Sequence, residues 1–154
     1  MKKAISIMLL LMVATIMGQT TASAQVPKKS IEWDRHSLIF DGKRVSAVMG
    51  EVHYSRIPAD EWADEVRKIK QGGVTIIATY VFWNHIEEQE GIFDWSGQRN
   101  LRRFIEVCKE QDMPVILRLG PFCHGEVRNG GIPDWMFTKG CKMREENKIF
   151  MHYV

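Results

Sequence analysis

Three apolar runs recur along this chain, and each ends in a cluster of polar and aromatic groups. Residues 45–50 lead into Glu51-Val52-His53-Tyr54, and residues 74–79 into Tyr80-Val81-Phe82-Trp83-Asn84. Residues 114–119 pass through Gly120-Pro121 into Phe122-Cys123-His124-Gly125-Glu126. Helical periodicity fills the gaps between the runs. Val45 to Val74 is 29 residues and Val74 to Val115 is 41, against ~31 per unit for eight units in a ~250-residue barrel. A βαβαβ order of this kind builds a parallel sheet with crossover helices. Strands that each deliver carboxylates, aromatics and amides just past their C-terminal ends predict the top face of a (β/α)₈ TIM barrel. A doubly wound sheet shares the pattern, but no Gly-rich phosphate fingerprint follows the first run. The 154 residues hold about three β/α units, so the expected fold is the N-terminal part of a barrel, incomplete.

The local signals are specific. Residues 37–45, with Asp41-Gly42 at the centre, predict a β-hairpin, because Asp-Gly suits a two-residue turn. Residues 45–50 are then the first barrel strand. After Pro58 a helix is expected over 59–71. Trp62, Val66 and Ile69 give it one apolar face, with acids in its first half and Arg67, Lys68 and Lys70 in its last turn, complementing the helix dipole. Gly72-Gly73 stops it. Residues 74–79 show no alternation, as expected of a strand covered on both faces. A loop follows over 84–97, then a helix over 98–111 with Leu101, Phe104, Ile105 and Cys108 on one face. Pro114 opens the third strand. Residues 147–154 begin a new amphipathic pattern, Phe150 with Val154, that has no C-cap or glycine stop. That reads as a helix cut in mid-pattern, hence a truncated chain.

The N-terminus has the form of a secretory leader. Lys2 and Lys3 precede an apolar stretch over 4–17, and Ala22-Ser23-Ala24 is a small-x-small cleavage site. Residues 1–24 are read as a signal peptide and 25–154 as the N-terminal portion of the barrel domain, exported to the periplasm or beyond the cell. The apolar stretch is shorter than the ~20 residues a membrane span needs, and no later run reaches that length, so no membrane partner is expected after cleavage. Losing two lysines brings the net charge of +2 to zero, which argues against a nucleic-acid partner. Three cysteines remain, an odd number for an exported chain. Cys108 falls on an apolar helix face and reads as core. Cys123 with Cys141 is the pair open to a disulfide. Their spacing is not a zinc signature, and no metal or cofactor is expected.

Glu51, Glu87 and Glu126 are the acids at or beyond the strand ends. A lone loop glutamate is ordinarily solvated surface. Glu126 departs from that, because it follows a buried strand, a turn and Gly125, and is expected to point into the barrel mouth. Tyr80, Phe82 and Trp83 follow the second run. Aromatic faces stack on the CH face of a pyranose, while amides and carboxylates hydrogen-bond its hydroxyls. Tyr80 is the expected contact; Phe82, Trp95 and Trp135 read as packing. His53 and Tyr54 follow the first strand, where a hydrogen-bonded structural histidine is the plainer reading. Trp33 and Arg35 read as packing and surface.

Four ordered blocks carry a family resemblance: Gly50-Glu51-Val52-His53-Tyr54-Ser55-Arg56-Ile57-Pro58, Thr79-Tyr80-Val81-Phe82-Trp83-Asn84, Arg118-Leu119-Gly120-Pro121-Phe122 and Gly130-Gly131-Ile132-Pro133-Asp134-Trp135. From about residue 31 onward the chain resembles the opening of a family 35 glycoside hydrolase, the β-galactosidase family. The resemblance implies a (β/α)₈ barrel that cleaves terminal β-galactosides of oligosaccharides or glycans with retention. It implies that Tyr80 and Glu126 hold galactose hydroxyls, with His124 and Gly125 beside that sugar. Where family members commonly read Ile-Cys-Ala-Glu-Trp, this chain has Cys123-His124-Gly125-Glu126-Val127, and Glu88 replaces the usual proline after Glu87; both changes remodel the pocket wall. Retention needs two carboxylates about 5–5.5 Å apart. The resemblance places them after strands four and seven, beyond this chain's end, so no catalytic residue is assigned here and the chain alone is expected to be inactive. The alternative from another class is a secreted carbohydrate-binding remnant without catalysis.

Overall fold

A computed structural model describes residues 30–143 and 145–154. The expected leader and cleavage site, over residues 1–24, lie outside the described residues. The described residues form two three-stranded sheets. The first is an antiparallel meander of β1 (Ile31–Trp33), β2 (Leu38–Phe40) and β3 (Lys43–Val45). Its β2–β3 turn is the expected one: Phe40 faces Lys43 across Asp41-Gly42, and both turn residues have positive φ, 49° and 75°, as a type I′ hairpin requires.

The second sheet is parallel, in the order β4 (Met49–Glu51), β5 (Ile76–Val81), β6 (Val115–Leu119). Helix α1 (Trp62–Gln71) joins β4 to β5. The short α2 (Trp83–Ile86) and then α3 (Leu101–Glu110) lie between β5 and β6. The sequence pattern misplaced the first barrel strand. The hairpin register runs on to Leu38↔Val45, so Val45 is consumed by the antiparallel sheet and the parallel strand starts only at Met49. The middle strand is displaced as well. Thr75 is held to Val48 by its backbone N–H at 2.9 Å, which moves the strand to 76–81 and places Tyr80 inside it. Helix α1 starts at Trp62 rather than 59, because the Glu61 N–H closes a turn onto the Pro58 carbonyl at 3.0 Å.

The core lies between β5 and the two longer helices. Trp62 and Val66 from α1 meet Phe104, Val107 and Cys108 from α3, with Tyr54, Ile77 and Met113 between them. Trp62 is 1% exposed, and its indole N–H donates to the Tyr54 and Ile57 carbonyls at 3.0 and 3.1 Å. Burying an aromatic side chain such as Phe104 contributes about 3 kcal/mol. Asn100 caps α3 by accepting the Arg103 N–H at 3.0 Å, a loop-to-helix signal the sequence carries openly. Strand β5 is buried from Ile76 to Tyr80, as its unalternating sequence predicts. Among the described residues strand β6 pairs only with β5, and Ile116 and Leu119 are 43% and 70% exposed.

A smaller cluster of Ile132, Met136 and Phe150 closes the C-terminal side. There α4 (Lys148–Tyr153) forms where the amphipathic pattern predicts it, capped by Asn147, whose side chain accepts the Ile149 N–H at 2.9 Å. Among the described residues no helix is long and apolar enough to cross a membrane.

Candidate functional site

The C-terminal ends of the three parallel strands bring together Glu51, His53, Tyr80, Phe82 and Arg118. Tyr80 is 4% exposed. Its ring lies 5.9 Å from the His53 ring at 29° and 6.1 Å from Phe82 at 19°. The Arg118 guanidinium stands over the Tyr80 ring, 4.1 Å from its centroid, and forms an ion pair with Glu51. Glu51 in turn lies 3.6 Å from His53 Nε2. Burial lowers the His53 pKa first, and Arg56 lowers it further, against the pull of Glu51 and Glu126. The His53 Nδ1 is buried without a hydrogen-bond partner.

The loop after β6 is tied to this cluster through its backbone. Arg56 donates to the Gly125 carbonyl at 2.7 Å and to the Glu126 carbonyl at 3.2 Å, while its guanidinium sits 5.0 Å from the Phe82 ring centroid. Gly125 is buried against His53 and Phe82. The Cys123 N–H donates to the Gly130 carbonyl at 2.7 Å. Gly130 itself has φ +63°, and the Phe122 ring fills the space a β-carbon there would need. Only glycine fits both demands.

The four residues singled out from the sequence do not all converge. Tyr80 is enclosed under Arg118. Gly125 contributes its backbone. His124 is exposed, its ring edge-on to Phe122 at 5.1 Å. Glu126 is exposed with φ +46° and lines a cleft of about 530 Å³ with Arg56, Asn84, His85, Glu88 and Arg128, which Tyr80 does not line. Asn84 Oδ1 is buried there without a partner, although its amide N–H₂ donates to the Arg128 carbonyl at 3.1 Å.

Glu87 has a different place from the other two acids. It is 6% exposed and accepts the Trp83 indole N–H at 2.6 Å and the Gly91 N–H at 2.7 Å, while its own carbonyl accepts the Trp135 indole N–H at 3.0 Å. Those bonds fold the 84–97 segment, so Glu87 is a loop-organising residue. Sequence reasoning missed Arg56 and Arg118. For Arg118 the signal was present, as a lone charge within the apolar strand Val115-Ile116-Leu117-Arg118-Leu119. A second cavity of about 920 Å³ lies at the opposite ends of the strands, lined by Ile31, Phe40, Val45, Val74, Met113 and Val115 among others, and none of the sugar-site candidates lines it.

Comparison with known proteins fits this geometry. A β-galactosidase 11 of Oryza sativa subsp. japonica is 42% identical over 125 residues, 80% of this chain and 15% of that protein. An exo-β-D-glucosaminidase of Thermococcus kodakarensis is 41% identical over 113 residues, 71% of this chain and 14% of that protein. The chain thus spans about one-seventh of the length of these relatives. The crystal structure of a β-galactosidase from the psychrophilic Marinomonas ef1 superposes with a TM-score of 0.50 at 17% identity, over 60% of this chain and 12% of that one. The parallel β/α units described above are of the TIM-barrel type. The model of the glycosyl hydrolases family 35 matches residues 37–154, and the chain belongs to that family.

Proposed function

We propose that this chain is the N-terminal part of an exported glycoside hydrolase of β-galactosidase type, acting with retention on terminal β-galactosides of oligosaccharides or glycans. Tyr80 carries the reading. It is an enclosed aromatic at the C-terminal end of the middle strand, packed by a histidine ring and an arginine, where a TIM barrel keeps its substrate groups. In this reading Tyr80 and Glu126 hold the sugar, with Gly125 and His124 beside it, and the three parallel strands are the opening of a barrel whose remaining strands cover β6.

Hydrolysis with retention requires one carboxyl as acid/base and another as nucleophile. Glu51 is committed to Arg118 and Glu87 to two hydrogen bonds, so neither is offered as a catalyst. The pair belongs to the longer protein, and the 154-residue chain does not turn over substrate by itself. Residues 1–24 direct export, leaving Gln25 as the mature N-terminus in the periplasm or outside the cell.

The test compares the 154-residue chain with the product of the reading frame extended past the Val154 codon. The expected result is release of nitrophenol from a β-galactoside by the extended product and none by the short chain. Faster cleavage of a β-glucosaminide would overturn the galactose assignment. A stop codon after Val154, together with sugar binding by the chain, would instead favour a secreted carbohydrate-binding remnant.

A further inference from the structure

We propose that Arg118 is the positioning residue of Tyr80, and that Glu51 holds Arg118 in place. The inference rests on Tyr80 being a sugar contact. It starts from strand order. Arg118 is on β6 and Glu51 on β4, with β5 between them. An ion pair between the two outer strands has to cross the middle one. The register places Arg118 opposite Tyr80 and Glu51 opposite Ala78. Ala78 and Tyr80 are two residues apart and share a face of the sheet. The guanidinium therefore reaches Glu51 by passing over the Tyr80 ring, which is where it lies, 4.1 Å from the centroid.

This bridge is poorly suited to a purely structural role. Within these 154 residues the Arg118 and Glu51 side chains are 41% and 36% exposed, and an ion pair so open to solvent contributes little to the folding of this chain. What it does is confine the ring. Arg118 covers Tyr80, while His53 and Phe82 stack against it, so the ring is packed by three side chains. A cation over an aromatic face is favourable, and the planar guanidinium can keep that contact while still holding a carboxylate.

The test is an NMR titration of the 154-residue chain with galactose, read on the Tyr80 ring resonances, for wild type, Arg118→Gln, Arg118→Lys and Glu51→Gln. Melting temperature is followed in parallel. Arg118→Gln is expected to shift the Tyr80 ring resonances and weaken galactose binding about tenfold with the melting temperature unchanged. Arg118→Lys should restore part of the affinity, and Glu51→Gln should lose part of it. Unmoved Tyr80 resonances and unchanged affinity in Arg118→Gln would overturn the proposal. So would a fall in melting temperature that accompanies the loss of affinity, since that marks a structural role. If wild type binds no galactose, the sugar reading fails instead, and the ring shift alone decides whether Arg118 holds Tyr80.

Discussion

The backbone of Gly125 approaches His53 so closely that a β-carbon at position 125 would stand 3.1 Å from the imidazole Cε1, and equally close to the Phe82 ring. The loop after β6 is thus seated on the same two rings that stack against Tyr80. Gly125 is among the positions where this chain departs from the commoner family reading, which has alanine. Gly125→Ala would stiffen the unfolded chain slightly, but it overpacks a site bounded by two rings. The expected net effect is a loss of about 1 kcal/mol, read as a lower urea midpoint with a displaced His53 ring resonance. An unchanged midpoint and unmoved His53 would show that the loop shifts freely and is not seated on those rings.

Glu87 provides a second contrast, between an acid that organises a loop and one that meets a ligand. Each of its carboxylate oxygens accepts one donor, Trp83 Nε1 or the Gly91 N–H. Glutamine keeps the volume but offers a single acceptor oxygen, so one buried donor goes unpaired at a cost of about 1–3 kcal/mol. Glu87→Gln is therefore expected to lower the unfolding midpoint measurably while leaving galactose affinity within error. Lost affinity at unchanged stability would return Glu87 to the list of sugar ligands.

The legible parts of this fold are those decided locally. Asp41-Gly42 sets its hairpin because two successive positive-φ residues make only a few turns, and residues 74–79 read as a covered strand because the run does not alternate, while the strand itself runs over Ile76–Val81 with 76–80 buried. The helix face containing Phe104 and Cys108 follows from spacing alone. What escaped depends on register. No local signal shows that the parallel strand starts only at Met49, nor that Ile31-Glu32-Trp33 adds a third strand to the hairpin. At the site, Tyr80 stands out as an aromatic past an apolar run, and Gly125 only through the family resemblance. Arg118 crossing Tyr80 to reach Glu51 could not be seen, since it follows from the order of three strands. Glu126 is set apart from Glu87 by its place after a strand, a turn and Gly125, but the bonds that tie Glu87 into its own loop come from partners that no local pattern shows.

The cysteines give a chemical test of the packing. All three are free, with Cys108 and Cys123 at 0% and 2% exposure and Cys141 partly exposed. Burial pushes the Cys108 thiol up to about 12 and raises that of Cys123, and the thiolate is the reactive form. Iodoacetamide at neutral pH should label Cys141 first, with the other two labelled only after denaturant is added. Mass spectrometry of digested samples reads the order. Labelling of Cys108 as fast as Cys141 would show that the α1–α3 core opens readily.

Stability should fall on both sides of a plateau in pH, for reasons that differ in sign. Burial lowers the pKa of His53 and His85 from 6.5, so the unfolded chain binds protons more readily than the folded one. Their contribution is fully present above pH 6.5 and is lost as pH falls through the depressed folded values. Asp94, held down to about 2 by Ser96 and then Arg99, acts in the same direction at lower pH. On the alkaline side burial raises Cys108 from 9.0 and Tyr54 from 10.0, each to about 12. Their contribution is fully present below those starting values and is lost as pH climbs toward 12. Urea midpoints measured across pH should therefore be highest from about pH 7 to pH 9. Tyr54→Phe should flatten the decline above pH 10, since Tyr54 is buried and its hydroxyl donates to the Arg99 carbonyl at 3.2 Å. An alkaline limb that is unchanged in Tyr54→Phe would mean that Tyr54 is exposed to water in the folded chain, and that the core it anchors is not formed as described.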